Sequence, residues 1–165
     1  MRQSAQIMIF WQTYLETLSD DQRLDLEYLV YDFGNSKEMA DELGYLVKTG
    51  VKTATSILLW ELEQDEDSIF PYVGEIDIIV DSSGEPLCII EIVEVEIRPF
   101  NTIDEQFAFD YGEGERLLTW WRDAMWEYYS TECRALGQEP SEDMPLVCLR
   151  FRLLYPVNTS SEPNS

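Results

Sequence analysis

Histidine is absent from this chain, and lysine is nearly so, occurring only as Lys37, Lys48 and Lys52. The first absence removes the side chain that most often activates a hydroxyl or thiol near neutral pH, and with it any metal site built on imidazole. Cysteine is sparse too. Cys88, Cys133 and Cys148 are odd in number and show no Cys-x-x-Cys spacing, so they read as core thiols of a protein in a reducing compartment. A metal would have to be held by carboxylates alone, and no recognisable cation loop is present, so no metal and no cofactor are expected. A glycine-rich phosphate loop is missing as well. The N-terminus leads into an amphipathic segment, and no apolar run approaches the roughly 20 residues needed to cross a bilayer. A cytoplasmic protein with no membrane partner is expected.

Positive charge is the other scarcity. Eleven basic side chains face 33 acidic ones, a formal charge of −22, and that field repels a polyanion unless the few cations gather in one place. RNA as a partner is therefore disfavoured, and any track for it would be assembled from Arg98, Arg116, Arg122, Arg150 and Arg152. The carboxylates are scattered, with Gln64-Asp65-Glu66-Asp67 the densest group, which reads as a solvated face rather than a DNA-like stripe.

What remains is a chain of 165 residues, 45% apolar and 13% aromatic, enough for one core. Residues 1–156 are expected to form a single domain and 157–165 a disordered tail, with Asn158-Thr159-Ser160 a sequon lacking a secretory context. Ile7, Trp11, Tyr14, Leu15 and Leu18 recur at helical spacing, predicting a helix over about 5–18. A short strand runs through Leu26, Tyr28 and Val30. Asn35 with Glu38 resembles a capping box for a second helix that ends at Gly50. Strands are predicted over 54–60, 76–80, 87–97 and 146–155, and Asp81-Ser82-Ser83-Gly84 is a turn. A long helix over about 117–136 carries Leu118, Trp121, Met125, Tyr128 and Tyr129 on one face, a core stripe. Helices and strands that do not alternate one to one imply an α+β fold with a largely antiparallel, curled sheet.

The chemistry-bearing stretch is Gly50-Val51-Lys52-Thr53-Ala54-Thr55-Ser56, which sets an amine and a hydroxyl three positions apart after a helix. Without histidine, that lysine is the leading candidate for proton transfer with a hydroxyl nucleophile. A solvated lysine in an ordinary turn is the plain alternative. Tyr111-Gly112-Glu113-Gly114-Glu115 is the densest glycine signal, read either as a tight loop into the long helix or as a hinge that brings one carboxylate close to a ligand.

These pieces, in order with Phe33-Gly34-Asn35-Ser36, Pro71-Tyr72-Val73-Gly74-Glu75, Val80-Asp81, Gly84-Glu85-Pro86, Phe107-Ala108, Trp121-Arg122 and Arg150-Phe151, resemble the ASCH domain family in its longer bacterial form. The resemblance spans about 31–155. It implies a small curled β-barrel, similar to the PUA domain, with flanking helices. It also implies one of two activities: RNA binding or cleavage, or hydrolysis of N4-acetylcytidine-type amides by a lysine, a threonine and a glutamate. Lys52 and Thr55 match the first two, and Glu113, with Glu115 as alternate, the third. Ser56, Glu115, Trp121, Arg122 and Arg150 are the implied substrate contacts. The chain departs from family patterns at Ile57, where short members carry arginine, and at Met125 and Leu149, where longer members often carry histidine and glutamate. The expected substrate is a small nucleoside-like amide. A nucleic-acid module or ribonuclease and a non-catalytic interaction domain are the other readings, and monomer and homodimer are both left open.

Overall fold

Helix α1 (Ala5–Leu15) starts at Ser4, whose hydroxyl accepts from the Ile7 amide, and it buries Ile7, Trp11 and Tyr14 at the spacing the sequence shows. In this computed structural model, which describes residues 4–23, 25–34 and 36–156, the chain divides into two compact units. One comprises residues up to 50, 74–91 and 152 onward; the other comprises 51–73 and 92–151. The expected tail and sequon lie outside the described residues, as does Asn35.

In the first unit, α1 is followed by the single turn α2 (Asp20–Arg23), the strand β1 (Leu29–Tyr31) and α3 (Lys37–Lys48). The first helix thus ends three residues before the sequence suggests. Ser36 caps α3 by accepting from the Met39 amide, and the helix buries Ala40, Leu43, Gly44 and Val47. The strand β3 (Ile76–Val80) pairs in parallel with β1, Leu29 opposite Asp77, and antiparallel with the first half of β4 (Pro86–Pro99). Its Ile78 and Val80 close over Ile7, Trp11, Tyr14 and Ile89.

The second unit holds β2 (Ala54–Leu58), α4 (Leu59–Gln64), a one-turn 3₁₀ helix at Phe100–Thr102, α5 (Glu105–Tyr111), α6 (Leu118–Ala135) and most of β5 (Pro145–Tyr155). β2 and β5 are antiparallel, with Thr55 opposite Leu149 and Ala54 opposite Arg150. The core gathers Ala54, Leu58, Phe107, Tyr111, Trp121, Tyr129 and Leu146. Among the described residues the strands follow the order β1-β3-β4-β5-β2, with the pairs β1–β3 and β3–β4 in the first unit and β2–β5 in the second. The α+β class and the five strand regions match the sequence. Three helices do not: α2 adds a turn where the first helix was expected to have stopped, and α4 replaces the end of an expected strand, since a short apolar run such as Ile57-Leu58-Leu59-Trp60 has no period to separate strand from helix. α5 falls where no element was expected.

All three cysteines are buried and free, and burial pushes Cys88 and Cys148 up to about 12, so they are inert thiols of the core. Glu75 and Asp77, two positions apart at the start of β3, are buried side by side and hydrogen-bonded. Burial, then the bond to and charge of Glu75, raise the Asp77 carboxyl to about 8. A folded-state value above the unfolded one means the folded chain holds the extra proton between pH 4 and 8, so stability falls as pH rises through that window. Asp77→Asn, which mimics the protonated acid, is expected to flatten the dependence of the melting temperature on pH between 5 and 8. Thermal unfolding that remains as pH-sensitive as the parent's would contradict this.

Candidate active site

The turn after α3 sends Lys52 inward. Its side chain is fully buried, and its Nζ donates to the carbonyl of Ala54 at 2.8 Å and that of Tyr111 at 3.2 Å, and lies 2.7 Å from Glu113 Oε2. The amine also sits 3.6 Å from the centre of the Tyr111 ring. Three acceptors match the three protons of an ammonium, which has no lone pair to offer. Burial lowers the lysine's pKa, and the charge and hydrogen bond of Glu113 oppose that shift. The solvated-turn reading of Lys52 therefore fails.

Glu113 arrives through α5. Asp104 caps that helix by accepting from the Phe107 amide, Phe107, Ala108 and Tyr111 bury one face, and Gly112 ends it in the left-handed conformation at φ +76°. Gly112 is required twice over. A Cβ there would lie 2.5 Å from the Val51 carbonyl oxygen and 2.7 Å from Lys52 Cα, both backbone atoms that cannot step aside. The missing side chain lets α5 end against the segment that carries Lys52. Thr53 strengthens that join by donating its amide to the Asp110 carbonyl at 2.8 Å. Glu113 keeps only 12% of its side chain exposed, whereas Glu115 is exposed, so the structure brings Glu113 to Lys52 and leaves Glu115 outside.

Thr55 is buried on β2. Ser56 Oγ lies 2.9 Å from the Tyr111 hydroxyl and 2.7 Å from that of Tyr129, bridging the two phenols. Burial and the Glu113 charge raise the Tyr111 phenol, against the pull of Ser56, Thr55 and Tyr129, so it stays neutral. Tyr111 thus meets the amine with its carbonyl and ring and Ser56 with its hydroxyl. Sequence reasoning missed Tyr111 and Tyr129 as site residues. For Tyr129 the signal was present in the aromatic stripe: a tyrosine deep in a core needs a partner for its hydroxyl.

The remaining expected contacts separate. Trp121 is fully buried, with Phe100 at 5.2 Å and Tyr111 edge-on at 5.7 Å, so it bears on the site through Tyr111. Arg150 pairs with Asp110 and reaches Glu94 at 3.8 Å, and Arg122 is exposed on α6. Met125 lies in the core around Trp121 and Tyr129, while Leu149 packs with Ile92, Val147 and the half-buried Ile57. The positions that depart from family patterns are thus filled by apolar packing. Among the described residues no cluster of three metal-ligating side chains occurs and no helix is long and apolar enough to cross a membrane.

Gly112→Ala is expected to lower unfolding free energy by about 1–3 kcal/mol through strain and the backbone clash. Gly137→Ala, at φ +77° with nothing within 4 Å of the new methyl, carries the conformational cost alone and serves as control. Urea unfolding in which the two variants lose the same stability would show that the close approach at Val51 is unimportant.

Comparison with known proteins identifies the family. The family model described as the ASCH domain matches residues 29–155. A crystal structure of an ASCH domain from Lactobacillus crispatus JV V101 superposes with a TM-score of 0.86 at 30% identity, covering 93% of this chain and 97% of that one. The crystal structure of a protein from Enterococcus faecalis V583 superposes at 0.76 with 34% identity, covering 91% and 90%. No curated protein matches the chain significantly. With a family match over most of its length and crystal-structure relatives that share its fold, the chain belongs to the ASCH domain family.

Proposed function

We propose that the protein is a small-molecule amidohydrolase acting on acylated nucleosides or related uncharged amides, with Lys52, Thr55 and Glu113 as its catalytic set. The observation that carries this reading is the buried Lys52–Glu113 pair at 2.7 Å in the same unit as a buried threonine, the three residue types the ASCH resemblance implies. Burial of an ammonium costs several kcal/mol of desolvation, a cost more often retained at working sites than at merely structural ones.

In this reaction Thr55 Oγ1 adds to the acyl carbon while its proton passes to the Glu113 carboxylate. Lys52 remains an ammonium, because its three N–H donors are already committed, and it holds Glu113 in place and offsets the negative charge that builds on the acyl oxygen. As the tetrahedral adduct collapses, the C–N bond breaks and Glu113 gives its proton to the departing amine. Water then attacks the acyl-threonine ester with Glu113 again taking the proton, releasing the acid and restoring the Thr55 hydroxyl. A neutral Lys52 base is the rival form of this mechanism, and it requires one of those N–H donors to be given up.

An uncharged amide enters the acidic field without penalty, whereas RNA needs cations that are free. Arg150 and Arg152 are paired with Asp110 and Glu91, Arg116 donates to the carbonyls of Phe109 and Val51, and Arg98 donates to that of Thr102. These pairings weigh against the RNA reading.

The purified protein incubated with N4-acetylcytidine is expected to release cytidine, with turnover falling at least ~10³-fold in Thr55→Ala and in Lys52→Met. Activity should decline as Lys52 loses its proton, at a pH below the ordinary lysine range because burial lowers it. A rise of activity through that same titration would favour the neutral amine as base. Intact nucleoside together with salt-sensitive retention or cleavage of single-stranded RNA would reverse the assignment.

A further inference from the structure

We propose that Arg116 is a positioning residue of this site: its guanidinium ties the loop that carries Glu113 to the backbone immediately before Lys52 and so sets the contact between acid and amine. The loop from Gly112 to Arg116 is only five residues long, and its ends are fixed differently. At its start, α5 is anchored by Thr53 on Asp110 and by Lys52 on the Tyr111 carbonyl. At its finish, Arg116 turns back. Its backbone adopts φ +61°, a left-handed conformation that a non-glycine residue holds only when its surroundings impose it. The amide donates to the Glu113 carbonyl at 3.1 Å, closing a tight turn around the acid.

The side chain spans the gap between the two segments that matter. Nε donates to the Phe109 carbonyl at 3.0 Å, Nη2 donates to the Val51 carbonyl at 3.3 Å, and the guanidinium carbon lies 3.7 Å from the centre of the Phe109 ring. A planar fork with several donors is suited to binding two carbonyls and one ring face together, and a lysine ammonium is not. Val51 is covalently joined to Lys52, and the Glu113 carbonyl is held by the Arg116 amide, so this one side chain fixes the spacing between the two halves of the ion pair. Glu113 meets the Lys52 segment directly through the ion pair itself. The loop next to it must also accommodate Trp120, whose ring would lie 2.0 Å from a Cβ at Gly114.

The sign of the expected change separates positioning from simple charge. Removing a cation from the neighbourhood of Lys52 would by itself ease protonation and raise the lysine's pKa. Loosening Glu113, the group that opposes the effect of burial, lowers it. With only three lysines in the chain, the Lys52 side-chain nitrogen and its adjacent carbon can be followed by NMR through a pH titration in the parent, in Arg116→Ala and in Arg116→Lys. The Lys52 titration is expected to move to lower pH in Arg116→Ala, and in the same direction but less in Arg116→Lys, which keeps the charge and loses the fork. An unchanged or higher titration point in both variants overturns the proposal, and unaltered amide spectra for α5 and α6 show that the variants are folded.

The kinetic consequence rests on the amidohydrolase reading. There kcat for N4-acetylcytidine should fall roughly tenfold to a hundredfold with KM little changed, as for a misplaced catalytic group. A shifted Lys52 titration in a protein that hydrolyses nothing would retain Arg116 as the positioning residue and remove only the assigned reaction. An unshifted titration in an active amidase would do the reverse.

Discussion

An ammonium buried away from water is the constraint around which the second unit is arranged. Lys52 has none of its side chain exposed, and an ion in that position is tolerated only where every proton finds an acceptor and an opposite charge stands close by. The chain supplies one acceptor locally, the Ala54 carbonyl, and must bring the others from far along the sequence: the Tyr111 carbonyl, 59 positions away, and the Glu113 carboxylate. That need accounts for the capped helix that ends at Tyr111, for the glycine after it, and for the short loop that returns the acid to the amine. Each is a condition for the ion pair rather than a separate feature.

Tyr111 shows how one residue serves several of these conditions. Its carbonyl and ring face the amine, while its hydroxyl meets that of Ser56, which also reaches the Tyr129 hydroxyl. Beneath it, Trp121 packs edge-on and carries the arrangement into the core of α6. Buried hydroxyls that satisfy one another in this way hold a fixed geometry, since turning any one away would leave a neighbour without a partner in a low-dielectric setting. Rigidity around Ser56 thus comes from these side chains.

Charge acts on a different scale. The overall balance is −22, and Arg150, Arg152 and Arg116 are each occupied within their own units, Arg150 by Asp110, Arg152 by Glu91 and Arg116 by carbonyls. The excess of carboxylates makes such pairing almost unavoidable, and it leaves a site whose one fully buried cation is itself neutralised.

The sequence alone determined the elements whose signals are local. The 3.6-residue spacing of Ile7, Trp11 and Tyr14, the stripe from Leu118 to Tyr129 and the branched run Ile76–Val80 each specify their own structure because period and propensity agree there. It also singled out Lys52, Thr55 and Glu113, through scarcity and through likeness to the ASCH domain. Tertiary structure decided what depends on distant partners. It decided that Lys52 is buried rather than solvated, that Glu113 and not Glu115 meets it, that Tyr111 and Tyr129 belong to the site, that Trp121 belongs to the core, and that β1 lies parallel to β3. The physical reason is that periodicity records which face of an element is apolar. Which carboxylate reaches an amine, and which strand neighbours which, are fixed only when segments tens of residues apart close upon one another.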